Sequence, residues 1–400
     1  MKIVKGGVTA ARGFVAGSIS CGIKSGGKLR PDLAMIYSTA PAVAAGTFTT
    51  NSVKAAPVLV SKAHLKARIA RGIVANSGNA NACTGAVGTG DARRMAAAAA
   101  QSLGVRENEM FVCSTGRIGV PMPIEKIERS IAQLSPLLSA NGSTKAARAI
   151  MTSDSFAKET AVEFALGGKR VRLGGIAKGA GMIDPNMATM LCFLTTDAAV
   201  AKSDLQRALA VAVEQSFNRI TVDGDMSTND TVILLANGMA GNAPVKGSDV
   251  AFGVFQKALN EVTLRLARMI VEDGEGVTKF IELRVRGAAS VRDARRAAEA
   301  IANSALVKCA WFGSDPNWGR IMDALGYSKA KISEPMIDIF YDKHPAVRGG
   351  VASRTPVAAL RKICRQQRFT ITVDLRLGSA EYTVFTTDLT PRYVQFNKGE

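Results

Sequence analysis

Apolar stretches of strand length alternate along this chain with stretches of helical period, and no regular strand–helix–strand repeat orders them. Gly72-Ile73-Val74-Ala75 reads as a strand running into a polar turn over 76–85 (NSGNANACTG). An alanine-rich helix follows over 91–103, and Met110-Phe111-Val112-Cys113 forms a short strand that ends in a turn at Ser114-Thr115-Gly116. Pro123 opens the next helix, with Ile124, Ile127, Ile131 and Leu134 on one face and Pro136 as its stop. Residues 162–176 alternate like a hairpin turning at Gly167-Gly168. Ser203 and Gln206 have the spacing of a capping box. Phe255, Leu259, Val262, Leu266 and Met269 mark a long helix over 249–272, which Gly274 is placed to end. The last third is strand-rich, at 280–285, 336–341, 369–375 and 382–386. Strands mixed with helices in this way bury their apolar faces as packed layers, which makes α+β the expected class.

The 400 residues fit two or three domain-sized units or one large fused fold, and 47% apolar residues suffice for a substantial core. No low-complexity linker or internal repeat marks a boundary. The charge, 51 basic against 33 acidic residues, is +18 and raises the question of nucleic acid. The basic residues are scattered, however, with no run of five like charges to form a tail, and aromatics are only 6%, so stacking platforms are scarce. Solubility and attraction of anionic metabolites explain the charge better. No stretch reaches the roughly 18 apolar residues of a membrane span, and the N-terminus has no apolar leader core. The six cysteines form no CxxC pair, and with two histidines in the chain a Cys/His zinc site is not expected. They read as small core residues in a reducing, cytoplasmic compartment.

Two histidines also narrow the chemistry. His64 and His344 both read as surface residues, so an enzyme of this sequence needs a general base of another kind. Three glycine-rich stretches, 85–94, 166–170 and 174–181, fail the spacing of dinucleotide and Walker loops and read as tight turns. The third leads somewhere different. Asp184-Pro185-Asn186 is a turn, and Met187-Ala188-Thr189 enters an apolar strand over 190–195. A threonine at the mouth of a buried strand has one geometry in which its hydroxyl attacks the preceding carbonyl. That shift cuts the Ala188–Thr189 bond and leaves Thr189 with a free α-amine. An α-amine titrates near ~8 and can deprotonate its own hydroxyl at neutral pH without a histidine. The ordinary reading of the same residue is a β-branched side chain opening a strand.

Ten ordered segments bear on that choice: GGVTAARGFVA (6–16), AGTFTTNSVKAAPV (45–58), NSGNANACTG (76–85), STGRIGVPMP (114–123), MTSDSFAK (151–158), IAKGAGMIDPNMATML (176–191), ITVDGDMSTNDT (220–231), VEDGEGVTK (271–279), GSDPNWGRI (313–321) and YVQFN (393–397). With them the sequence resembles the ornithine acetyltransferase family, the glutamate N-acetyltransferases of arginine biosynthesis. The resemblance implies a layered αββα-like fold cut into chains 1–188 and 189–400, assembled as a heterotetramer with two copies of each. It implies Thr189 as nucleophile, Thr115 and Gly116 as the oxyanion hole, and Thr152, Lys178, Thr189, Glu275 and Asn397 as substrate contacts. N-acetylornithine, ornithine and glutamate are the implied substrates and products. No metal or cofactor is implied, and acetyl-CoA is a candidate second donor.

In the family the chain usually continues past the asparagine matched by Asn397 to an aromatic residue and a terminal threonine that touches substrate. Here Lys398-Gly399-Glu400 follow instead. Two other classes compete. An N-terminal-nucleophile amidase or aminopeptidase would hydrolyse rather than transfer. A basic nucleic-acid-binding protein would show no self-cleavage and an affinity that falls steeply with salt.

Overall fold

β1 (Lys2–Val4) and β2 (Phe14–Ile19) lead into β3 (Leu33–Phe48), a strand of 16 residues that organises the first half of the structure. This computed structural model describes residues 1–24, 30–184, 190–247 and 249–398. After β3 come α1 (Ala56–His64), β4 (Ala70–Asn79), α2 (Gly85–Leu103), β5 (Met110–Arg117), α3 (Ile124–Leu134) and α4 (Ser143–Ala149). β6 (Lys158–Leu166), β7 (Lys169–Lys178), β8 (Leu191–Thr196), α5 (Lys202–Glu214), β9 (Thr231–Ala236) and α6 (Val250–Glu272) complete this part. The described residues fall into two compact units, drawn from Met1–Gly179, Asn186–Asn218 and Met226–Ile270, and from Ala180–Pro185, Arg219–Asp225 and Val271–Glu400.

In the first unit the strand order is β1-β6-β7-β8-β9-β3-β4-β5, with β2 also on β3. β3 serves two parts of this sheet: Leu33–Tyr37 pair antiparallel with β4, and Val43–Phe48 pair antiparallel with β9. Alternation along the strands then decides the layers. Ala34 and Ile36 join Phe111, Cys113, Leu191, Phe193, Ile233 and Leu235 in one core, where the two parts of the sheet face each other. Leu33 and Met35 point the other way, into a core with α2 and α3 through Met95, Ala99, Ile127 and Ile131. On the far face of β7, Leu266 of α6 lies 3.1 Å from where a Cβ on Gly175 would stand, and α5 is fastened to β3 through Gln206. Helix, sheet, sheet, helix is the resulting order, the α+β layering expected.

The second unit is built on β10 (Phe280–Ala288), followed by α7 (Val291–Ala302), α8 (Ala305–Phe312), α9 (Trp318–Tyr327), β11 (Asp338–Tyr341), β12 (His344–Arg348) and β13 (Val351–Ala352). α10 (Val357–Cys364), β14 (Arg368–Asp374), β15 (Ala380–Thr387) and α11 (Pro391–Phe396) close the chain. Its strand order is β13-β12-β11-β14-β10-β15, with β10 parallel to β14 and antiparallel to β15. Ile281, Leu283 and Val285 turn inward with Ile371, Val373 and Val384, under Ala297, Ile301, Trp311 and Leu360. Arg284 and Arg286, on either side of Val285, face solvent.

Four expectations change. The helix expected over 91–103 begins at Gly85, because Gly88 has no Cβ to strike Thr84 Oγ1, which would lie 1.8 Å away. Ser114-Thr115-Gly116 continues β5 in parallel pairing with β4 rather than forming a turn. The capping box at Ser203 does not form: Ala201 is the N-cap, and Gln206 spends its side chain on both the amide and the carbonyl of Gly46, each at 3.0 Å. Cys113, Cys192 and Cys364 are core residues as expected, whereas Cys83 and Cys309 are exposed.

Candidate active site

Strand ends in the first unit bring several chemistry-bearing groups together. β5 runs parallel to β4 with Thr115 opposite Ser77 and Gly116 opposite Gly78. Gly116 has φ +132, and a Cβ there would stand 2.3 Å from the Gly78 carbonyl carbon and 2.5 Å from the Asn79 nitrogen. Glycine is the residue that meets both demands. Thr115 is buried, and the Nζ of Lys178, the last residue of β7, lies 3.5 Å from its Oγ1. Lys178 is itself 2% exposed and pairs with Leu191 at the start of β8. Leu191 in turn pairs with Thr231 at the start of β9.

Buried amides and carboxyls fasten these ends. Asn229 donates from Nδ2 to the carbonyls of Ala80 at 2.7 Å and Ser114 at 2.9 Å, tying the entry of β9 to β5. Asn76 accepts from Ser114 Oγ at 2.6 Å and donates to the Asn79 carbonyl at 2.9 Å. Asn79 donates to the carbonyls of Val120 and Pro121, both at 3.1 Å. Buried backbone carbonyls are costly without partners, so these asparagines hold loops that the sheet ladder does not reach. The segment 76–85 is therefore a scaffold for β5.

Asp230 Oδ1 accepts the amide of Met190 at 2.8 Å, while its Oδ2 is buried with no hydrogen-bond partner among the described residues. Burial pushes this carboxyl well above its usual range, against the pull of the Met190 amide and of Lys178. Asp154 behaves oppositely. Burial acts to raise its pKa too, but Lys178 and Lys158 together with the Gly179 amide hold it down at about 2. The Thr152 amide donates to the same carboxylate at 2.9 Å.

The second unit has its own polar cluster. Glu275 donates its amide to the Ala180 carbonyl at 2.9 Å, and its Oε2 accepts from Asn397 Nδ2 at 3.0 Å. Gly181 leaves room for that carboxylate, since a Cβ there would stand 2.4 Å from Glu275 Cδ. Asp223 accepts the amides of Met182 and Ile183 and the hydroxyl of Tyr393 at 3.1 Å. Burial, with Asp223 beside it, pushes the Tyr393 hydroxyl up. Burial also raises Asp184 to about 7, with Glu299, Asp223 and Asp225 adding to it and the Asn303 amide opposing.

A family model described as the ArgJ family matches residues 15–399. This chain belongs to the ArgJ family. The arginine biosynthesis bifunctional protein ArgJ of Symbiobacterium thermophilum is 47% identical over 99% of this chain and 99% of its own. The protein of the same name from Geobacter sulfurreducens is 49% identical, covering 96% of this chain and 98% of its own. Among solved structures, the arginine biosynthesis bifunctional protein argJ of Bacillus halodurans is 37% identical with a TM-score of 0.50, covering 52% of this chain and 97% of that chain. Family membership makes the chain an enzyme of arginine biosynthesis.

Of the residues that the ArgJ resemblance singled out, Thr115, Gly116, Thr152 and Lys178 lie in the first unit, linked by the contacts above. Glu275 and Asn397 meet in the second. Thr189 and Ala188 lie outside the described residues; the next residue in sequence, Met190, is buried on Asp230. Sequence reasoning passed over Asp154, Asn229 and Asp230, although each stands in a quoted segment. A polar residue immediately before an apolar strand, as in Asn229-Asp230-Thr231, was the available signal. The histidines are half-buried rather than on the surface, and His64 Nδ1 is 2.8 Å from the Met110 carbonyl. Among the described residues no helix is long and apolar enough to cross a membrane.

Proposed function

We propose that the chain cuts itself between Ala188 and Thr189 and then carries the acetyl group of N-acetylornithine to glutamate on the Thr189 oxygen. In the first step Thr189 Oγ adds to the Ala188 carbonyl and the amide nitrogen leaves, giving an ester that water hydrolyses. The freed α-amine takes the hydroxyl proton as Oγ attacks the acetyl carbonyl of N-acetylornithine. Ornithine departs with that proton on its amine, and the glutamate amine then attacks the acetyl ester, restoring the hydroxyl. Thr115 Oγ and the Gly116 amide donate to the oxyanion of each tetrahedral intermediate. Lys178 pairs with the substrate α-carboxylate and Thr152 adds a polar contact. The chemistry requires no metal or cofactor.

The observation that carries this reading is the meeting of Thr115, Gly116 and Lys178 at the strand ends where β8 begins, two residues after Thr189. The Bacillus halodurans chain adds support, since almost all of it matches about half of this one, the length of one product of such a cut. The name bifunctional on the relatives favours acetyl-CoA as a second donor to Thr189. An assembly of two copies of each fragment, working in the cytoplasm, completes the proposal.

Intact mass spectrometry of the purified protein beside Thr189→Ala tests the cut: two fragments are expected from the parent and one full-length chain from the variant. Ornithine formation from N-acetylornithine should depend on glutamate. Free acetate released at the same rate without glutamate would assign the chain to the amidases instead.

A further inference from the structure

Asp154 contributes a carboxylate whose side chain is wholly buried, beside the equally buried side chain of Lys158. Its Oδ1 accepts from Lys158 Nζ at 2.6 Å and from the Gly179 amide at 2.7 Å. Its Oδ2 accepts the Thr152 amide at 2.9 Å. One carboxylate therefore pins the residue directly after Lys178 and a residue two positions before itself. Lys158 stands on β6 opposite Ala177 of β7, so the ion pair also locks the last turn of the pleat that delivers Lys178.

Three ammonium groups act on this carboxylate, those of Lys178, Lys158 and Lys24. The nearby Asp230 is driven toward its neutral form by burial. Asp154 is held in its ionised form, and Lys178 is the first of the charges that hold it there. A lysine on a four-carbon stem has many rotamers, and aiming it at an anion requires a fixed backbone and a compensated charge.

We propose that Asp154 is a positioning residue for substrate binding, fixing the backbone that carries Lys178 so that its ammonium is aimed at the substrate carboxylate. The inference rests on the acetyl-transfer reading and on Lys178 as the carboxylate partner. The competing account is that Asp154 only neutralises Lys158 and serves the fold.

Three chains separate the two accounts: the parent, Asp154→Asn, and Asp154→Asn combined with Lys158→Met. The asparagine cannot offer acceptors to both the Thr152 and the Gly179 amides, and it removes the charge that Lys158 Nζ pairs with at 2.6 Å. The single variant should melt at a lower temperature and show a KM for N-acetylornithine raised about tenfold or more, as expected for a weakened charged hydrogen bond. The double variant removes the buried ammonium together with the carboxylate it pairs with, so its melting temperature should recover. KM should stay high in the double variant while kcat changes little. A KM that returns to the parental value along with the melting temperature overturns the proposal. Should the two variants fail to fold, Asp154→Glu keeps the charge and moves the carboxylate by one methylene; a raised KM supports the proposal and a parental KM overturns it. A parent that transfers no acetyl group overturns the functional reading and this inference with it, whereas an active parent beside variants of parental KM overturns this inference alone.

Discussion

Gly116 and Gly119 stand three residues apart with positive φ, +132 and +77, but in different surroundings. A Cβ on Gly119 would meet open space, while one on Gly116 would enter the backbone of Gly78. Alanine at 119 should therefore cost only its backbone strain, about 1 kcal/mol, with acetyl transfer retained. Alanine at 116 carries the strain and the collision together. It should lose at least about 3 kcal/mol of stability and roughly 10²-fold or more in kcat, because the displaced amide is the proposed oxyanion donor. Thermal unfolding and steady-state kinetics on the two variants check the contrast, and equal losses at both positions would remove the special role of Gly116. At this scale the sequence was a partial guide. Thr115 and Gly116 were marked by their resemblance to a known site, yet their local pattern reads as a turn, since the pairing with β4 that extends the strand is non-local. Asp154 gave no local signal, and the place of Asp230 before an apolar strand marks its position but not its charge, because burial is what separates the two carboxyls and burial is not a property of a tripeptide.

Elements were legible where periodicity is strong and misread where a polar side chain has a distant partner. The apolar stripe of α3 and the long repeat of α6 predicted helices that the structure has at Ile124–Leu134 and Val250–Glu272. The hairpin at Gly167-Gly168 is present and longer at both ends than its alternation suggested. The first turn of α5 is the instructive case. Spacing alone makes Ser203 and Gln206 a capping box, but Gln206 instead bridges the amide and carbonyl of Gly46, acting as a substitute ladder rung for β3. The two readings predict opposite mutational patterns. Ser203 is exposed and does not cap, so Ser203→Ala should shift stability by less than about 0.5 kcal/mol. Gln206→Ala leaves two groups of β3 without partners and should cost about 2–3 kcal/mol. Urea denaturation of both variants measures this, and a costly Ser203→Ala beside a mild Gln206→Ala would restore the capping box.

The order of strands in the first unit bears on what the proposed cut at 188/189 would do to the chain. Residues before the cut supply β1 to β7; those after it supply β8 and β9, which lie between β7 and β3. β8 pairs with β7 over Lys178–Leu173 on one side and with β9 on the other, and β9 closes against Val43–Phe48 of β3. Phe193 and Ile233 sit in the same core as Ile36 and Phe111, so the two proposed products would share one interior. Composition offered no boundary because none exists along the sequence: the second unit, too, draws on residues 180–184 from before the cut. A fragment of 1–188 alone has a sheet opened in its middle, with two long unpaired edges and an exposed apolar face, the conditions for aggregation rather than folding. It should be insoluble or lack a cooperative melting transition when produced alone. Co-production with 189–400 should restore one soluble species that elutes as a complex and releases its two fragments only in denaturant. Size-exclusion chromatography with mass analysis of the peak reads the outcome directly. A 1–188 fragment that folds cooperatively alone would contradict the strand order itself, because β7 and β3 could then close without the two strands that separate them.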